Sequence, residues 1–446
     1  MSYRRIDTQD GVTIMNKDLY DNLQDGIDEA KGTTLKFLED IDFSTKVSFK
    51  ENIVDFCNNN VILRNVELEN SIIRRGLISV PETFHLSTKG SVILEDCEIS
   101  SEDLVIFQFK DLDCLEIKNC KLKNICFHVT GVSHLDIHGN IFDTTVDNSV
   151  EFYDSKEYIH IANEDNIAGS FCISNNIFKN SKNDCIDVYP TGGGTVIRNN
   201  TFINCLHGIE IKSNITGIVG DQTDYRAIGI IVEGNIFRDF PEETICIHHF
   251  AINTVDDEDY SKYPVVLYSN NVFYNTLGVL YYGISFRNIQ FAQVVNCRSV
   301  GGSTRNSMFI YITGVSASKV VISNCVSEDK FLFYTGTATR SEVIVSNCYG
   351  NIFVPAYITK IQNSDIAQLD IANILDSYKI FLNNVTIKNN LYCKRGFIIA
   401  LGCFLTNVRN QYEDGVNHYS VFDSCILTSI SASGEDFIVN NCKVIS

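Results

Sequence analysis

Between positions 183 and 212 a set of polar residues repeats at a fixed interval. Asp184, Asp187 and Tyr189 recur 23 residues later as His207, Glu210 and Lys212, and the apolar Ile186 and Val188 recur as Ile209 and Ile211. Carboxylates grouped in this way can move protons, and crowding among them raises the pKa of one, as a general acid requires. Two carboxyls about 5–5.5 Å apart suit cleavage of a sugar linkage with retention, and a gap of about 6.5–9.5 Å suits inversion. What decides between these is the scaffold that sets the spacing.

The alternation of polar and apolar residues assigns the set to strands, and the fixed interval assigns the strands to a solenoid. A six-residue phrase runs through the chain: an apolar residue, any residue, Asn, Asp, Gly or Ser, then Cys, Asn or Val, any residue, and as a rule a closing apolar one. It appears as LEDCEI (94–99), IKNCKL (117–122), ISNNIF (173–178), IRNNTF (197–202) and VEGNIF (232–237), among fifteen copies in all. Its fourth residue falls at 66, 97, 120, 140, 176, 200, 235, 271, 297, 325, 348, 385, 408, 425 and 442. Stacking these in register at about 4.8 Å per strand predicts an all-β fold, a right-handed parallel β-helix of about fifteen coils. Stacked asparagines hydrogen-bond along the column, and cysteines fill the same slot as small apolar groups. Three consecutive cysteines at 297, 325 and 348 cannot all pair with one another, so the pattern predicts free, buried thiols.

Before the coils, residues 16–31 read as an amphipathic helix with Leu19, Leu23, Ile27 and Ala30 on one stripe. Laid across the first coil, it would block edge-to-edge pairing. The domain reading is therefore a leader with a capping helix at 1–32 and a β-helix at 33–446. The steps 140→176, 200→235 and 235→271 are 36, 35 and 36 residues, against 20–24 for coils such as 97→120, 120→140 and 176→200. Insertions on neighbouring coils wall one face, where loops on a rigid scaffold carry function. A second group of insertions is expected near 349–378.

Outward residues then fall in columns: Glu151, Asp187, Glu210 and Cys246, and beside them Tyr153, Tyr189, Lys212 and His248. A third column takes Asp147 or Asn148, then Asp184, His207 and Glu243. Asp187 and Glu210, one coil apart, suit retention, and Glu151 and Glu210, two coils apart, suit inversion. A solvated face neutralised by Lys212 is the plainer alternative. The candidate catalytic residues are thus Glu210, Asp187, Glu151 and Asp184, and the candidate substrate-binding residues are Tyr153, Tyr189, Lys212, His207, Glu243 and His248.

Composition narrows the partners. The net charge is −19, from 55 acidic and 36 basic residues, which argues against nucleic acid. Tryptophan is absent, so sugar stacking falls to the 20 tyrosines and 28 phenylalanines. No CxxC pair occurs, and Cys246, His248 and His249 read as an unliganded strand end; no metal or cofactor is expected. The acidic run 256–259 reads as a solvated loop. No apolar run is long enough to span a membrane, and the N-terminus lacks the apolar core of a signal peptide.

The stretches NDCIDVYP and LHGIEIKSN resemble pectin-lyase-like β-helix proteins, the superfamily of pectate lyases, polygalacturonases and phage tailspikes. Asp184 and Asp187 match the polygalacturonase pattern N-T-D-G-I-D, whereas Lys182 replaces its Asn and Leu206-His207 replace its following D-D. Residues 5–30 resemble the N-terminal segment shared by tail and baseplate-associated proteins of phages and prophages of Gram-positive bacteria. The resemblance implies a tail protein, in the virion or released by lysis, that meets a cell-surface polysaccharide as a homotrimer. Three activities follow as expectations: glycoside hydrolysis by the outward carboxylates, β-elimination using Lys212, Tyr189 or His248, or binding without turnover as a receptor-binding fibre.

Overall fold

The computed structural model describes residues 6–8, 11–15, 23–43, 45–148, 156–162, 170–188, 194–213, 230–241, 244–251, 265–274, 281–287, 291–301, 308–313, 319–328, 331–335, 342–353, 358–371, 378–393, 396–411, 420–433 and 437–445. Among them nearly every element is a strand, and the strands pair in parallel with partners about one coil away in sequence. The chain is a parallel β-helix. It forms two compact units, Met1–Glu210 and Ile211–Ser446.

In the first unit each coil contributes to three ladders. Leu112–Lys118, His134–His138, Ser170–Ser174 and Thr195–Arg198 are successive strands of the first. Ile141–Asp143, Ile177–Lys179 and Thr201–Ile203 belong to the second. The third holds the last part of Lys121–Thr130, then Ile159–Ala162 and Asp184–Val188.

The repeating phrase is the corner between the first and second ladders. Its third residue adopts a left-handed backbone, as at Asp96, Asn119, Asn175 and Asn199 (φ 54–57°). Asn and Asp tolerate that region best after glycine, which is why they recur there. Gly139 takes the same position (φ 71°), where a Cβ would approach the Asn119 Oδ1 to 2.6 Å.

The fourth residue points inward and bonds along the stack. Asn176 Oδ1 accepts from both the backbone N–H and the side-chain amide of Asn140 (2.9 and 3.0 Å), and Asn200 Oδ1 accepts the same pair from Asn176. Each amide also donates to a carbonyl of the preceding coil, Asn176 to Ile137 at 2.8 Å. Buried amides are thereby satisfied, which removes the main cost of placing them in a core. Beside them Phe142, Phe178 and Phe202 stack at 4.8 and 5.0 Å. In the second unit Asn235 bonds to Asn271 at 3.0 Å and Phe237 stacks on Phe273 at 4.9 Å. The cysteines described are all free, and most are buried.

Four details differ from expectation. Val66 lies within the strand Asn65–Arg74, and Val408 opens the strand Val408–Gln411 in register with Leu391, so neither occupies the corner column. Ser364 and Cys403 do: the Cys348 N–H donates to Ser364 Oγ (3.1 Å), and the Cys403 N–H donates to Cys425 Sγ (3.5 Å). Ser364 was hidden because serine is not among the residues of the phrase's fourth position. The expected insertions near 349–378 are instead largely another coil, with strands Ile358–Gln362 and Asp365–Ile371. At the other end a helix is described over Leu23–Glu29, and residues 16–22 of the expected one lie outside the described residues. The Gln24 amide accepts from the Ser48 N–H and donates to its carbonyl (2.8 and 3.0 Å). Pairing starts before that helix, since Val12–Met15 runs antiparallel to Ile6–Thr8 and parallel to Thr34–Phe37. The alternation in V-T-I-M buries Thr13 and Met15, which makes this part of the expected leader a coil strand.

Candidate functional site

The third ladder of the first unit gathers the titratable residues. Strand register places Gln108, His128, His160 and Asp187 in one outward column. His160, not Glu151, therefore precedes Asp187. The strand that pairs with Asp184–Val188 is Ile159–Ala162, because the residues added to this coil come before it. Glu151, Tyr153, Tyr189 and Glu243 lie outside the described residues, as do most of the residues added to the long coils and the acidic run 256–259.

Strict alternation breaks where the chain enters this ladder. Cys185 and Ile186 are both buried, so Asp184 and Asp187, three residues apart, come to the same side. Glu157 and His160 are spaced likewise and also converge, with Glu157 Oε2 3.6 Å from His160 Nδ1.

Two Asp–His pairs result. His160 Nδ1 lies 3.0 Å from Asp187 Oδ2, and His207 Nδ1 lies 3.1 Å from Asp184 Oδ1. Asp187 is 1% exposed and Asp184 8%, whereas His207 and Glu210 are half-buried and reach the surface. Asp184 and Asp187, expected on an open face, are thus covered, and an imidazole stands beside each.

Burial and neighbours tune these groups. Burial pushes the Glu157 carboxyl up to about 7; a backbone hydrogen bond opposes this, and the Asp187 charge adds to it. Burial likewise raises Asp184, outweighing its bond to His207, and the Glu210 charge adds to the rise. For His207 burial acts downward, but the hydrogen bond and charge of Asp184 prevail and raise its pKa. An imidazolium held by a carboxylate at the surface can donate a proton, and a nearby carboxylate can accept one.

Of the sequence candidates, the structure brings together Asp184, Asp187, His207 and Glu210. Lys212 and His248 belong to the second unit, where both are half-buried and His248 is in register with Ser285. Cys246 and His249 are buried, and His249 Nδ1 meets the Tyr268 hydroxyl at 2.9 Å. Burial lowers the His249 pKa to about 3.

Sequence reasoning missed Glu157, His160 and His128. The signal was present as the apolar–His–apolar triplets FHV (127–129) and IHI (159–161), which parallel IDV (186–188). No metal was expected, yet Glu157, His160 and Asp187 each offer one donor atom within 4.8 Å of the others.

No family model and no curated protein matches the chain. Among solved structures, the chain is similar to tailspike protein 3 of bacteriophage CBA120, with a TM-score of 0.35 and 9% identity over 93% of this chain. It spans 57% of the length of that tailspike.

Proposed function

We propose that this protein is a phage or prophage tail-associated protein that binds a bacterial cell-surface polysaccharide and cleaves it. The observation that carries the cleavage reading is the Asp184–His207 pair beside Glu210. It joins a buried orienting carboxylate, an imidazole of raised pKa and a second carboxylate, the last two within reach of solvent. In this reading His207 donates the proton to the departing sugar oxygen and Glu210 acts as base or nucleophile. Asp184 fixes the imidazole and does not touch the sugar. Asp187, too covered to meet a polymer, acts through its neighbours. The tail assignment rests on the resemblance of residues 5–30, and a homotrimer is part of the same proposal.

A binding-only fibre is the second reading. The Tyr282 and Tyr311 rings, 5.1 Å apart on a strand face of the second unit, favour it, since such rings can stack on sugars without chemistry. The test is incubation of the full chain with wall polysaccharide of Gram-positive bacteria. New reducing ends report hydrolysis, and ultraviolet absorbance of an unsaturated uronate reports elimination. Glu210→Gln and Asp184→Asn should abolish product while binding persists. Binding by the unaltered chain with no product of either kind would sink the cleavage reading and leave the fibre.

A further inference from the structure

We infer that Glu157, His160 and Asp187 form a binding site for one first-row divalent transition-metal ion. This inference does not depend on the proposed polysaccharide chemistry.

The geometry is the first argument. His160 Nδ1 stands 3.0 Å from Asp187 Oδ2 and 3.6 Å from Glu157 Oε2, and all three donor atoms lie within 4.8 Å of one another. Ligands held at about 2.0–2.2 Å around one tetrahedral or octahedral ion are separated by about 3–4 Å, so a single ion fits among these atoms with small side-chain adjustments.

The second argument comes from the state of Glu157. Its residue is only 8% exposed, and its Oε2 is buried and accepts no hydrogen bond. The charged groups acting on it are the carboxylates of Asp187 and Asp184, which oppose its ionisation, and the His160 imidazole, which favours it. Buried polar atoms are ordinarily satisfied, and a desolvated carboxylate oxygen without a donor is costly unless a cation meets it.

The donor set also selects the ion. Calcium and magnesium prefer all-oxygen shells, whereas an imidazole nitrogen with two carboxylates suits zinc, cobalt or manganese. On binding, His160 uses Nδ1 as a ligand, leaving the proton on Nε2. His128 packs edge-on against the His160 ring, with centroids 4.8 Å apart, and so restricts its orientation. Three protein ligands leave at least one coordination position for water or another small ligand.

The test uses the full chain, stripped with EDTA and titrated with Co²⁺ while its visible absorption is followed. One equivalent per chain should bind, Zn²⁺ should displace it, and an excess of Ca²⁺ should not. Glu157→Gln and His160→Gln should each weaken binding by at least about tenfold, the lower end of what even outer-shell changes cost. His134→Gln, whose imidazole instead meets the Ser170 hydroxyl at 2.9 Å, should bind as the unaltered chain does. Circular dichroism reports folding. Should His160→Gln fail to fold, Glu157→Gln decides the matter, because Glu157 Oε2 accepts no hydrogen bond that the change would break. The inference is overturned if no stoichiometric Co²⁺ absorption appears, if Glu157→Gln binds as tightly as the unaltered chain, or if Ca²⁺ competes equally.

Discussion

The two units use the same strand geometry for different chemistry. In the first, the outward column runs Gln108, His128, His160, Asp187. In the second, a corresponding register runs His248, Ser285, Tyr311, and further along Asp370, Tyr392, Arg409. In-register parallel pairing sets each side chain directly over its counterpart one coil away, so identical charges would repel at about 4.8 Å. The first unit avoids this by alternating sign or type. His160 neighbours Asp187, His207 neighbours Asp184, and on the first ladder Lys118 reaches Glu95 at 3.1 Å and Lys89 reaches Glu69 at 3.0 Å. The second unit pairs charges too, Lys360 with Glu342 at 2.6 Å and Arg298 with Glu328 at 3.2 Å, but the column through Tyr311 packs rings, Tyr282 against Tyr311. Glu157, with two carboxylates for neighbours, departs from the alternation.

If the contrast between a titrating column and a stacking column is functional, its largest sign will be kinetic. Glu210→Gln should reduce product formation by about 10²–10⁴-fold, the usual worth of a positioned acid or base. Tyr311→Ala should alter the turnover rate less than about twofold and act on binding. Equal rate losses from both, measured as initial rates at saturating polysaccharide, would erase the distinction.

The next effect concerns pH and has opposite signs in the two units. Glu157 has a raised folded pKa, about 7 against an ordinary 4.5, so its contribution is fully present below 4.5 and is lost as pH rises through 7. His249 has a lowered folded pKa, about 3 against 6.5, so the unfolded chain binds the extra proton and stability is lost as pH falls from 6.5 toward 3. Hydrogen exchange in metal-free protein, corrected for intrinsic rates, should therefore show Asp184–Val188 loosening toward high pH and Thr244–Ala251 toward low pH. Parallel trends in both strands would refute the assignment.

Asn176→Ala should be felt less, at about 1–3 kcal/mol in denaturant unfolding, because it takes the side-chain acceptor from the Asn140 backbone N–H and the side-chain donor from the Ile137 carbonyl. Smallest is Lys118→Ala, under about 1 kcal/mol, since its pairing with Glu95 is partly exposed. A cost for Lys118 matching that of Asn176 would mean that cross-coil charge pairs, rather than the buried ladder, hold the coils together.

Much of the scaffold was legible because the corner imposes two local demands at once, a left-handed residue followed by a small inward one. Asn-Asn, Asn-Cys and Asp-Cys satisfy both and repeat visibly. Where other residues meet the same demands, as at Asn363-Ser364 and Gly402-Cys403, the phrase blurs, and Val66 imitates it inside a strand. The site was harder to read. Asp184, Asp187, His207 and Glu210 are joined by a stretch without an insertion, so their alignment followed from spacing alone. His160 and Glu157 follow an insertion, and an uncertain count across it moved the expected partner of Asp187 to Glu151. Burial of the carboxylates was not legible either, since alternation tells which side of a strand a residue takes and not what lies over that side.

The asparagine column has a consequence for how such a chain can change over generations. Each amide answers only to the coil before and the coil after it, as Asn176 does to Asn140 and Asn200. A duplicated or deleted coil therefore presents its neighbours with the same donors and acceptors they already had. Lengthening the stretch between strands leaves that handshake untouched, as the 36 residues from Asn140 to Asn176 and the 24 from Asn176 to Asn200 demonstrate in adjoining coils. Selection for a new target can act on the connecting segments while the inherited stack continues to fold.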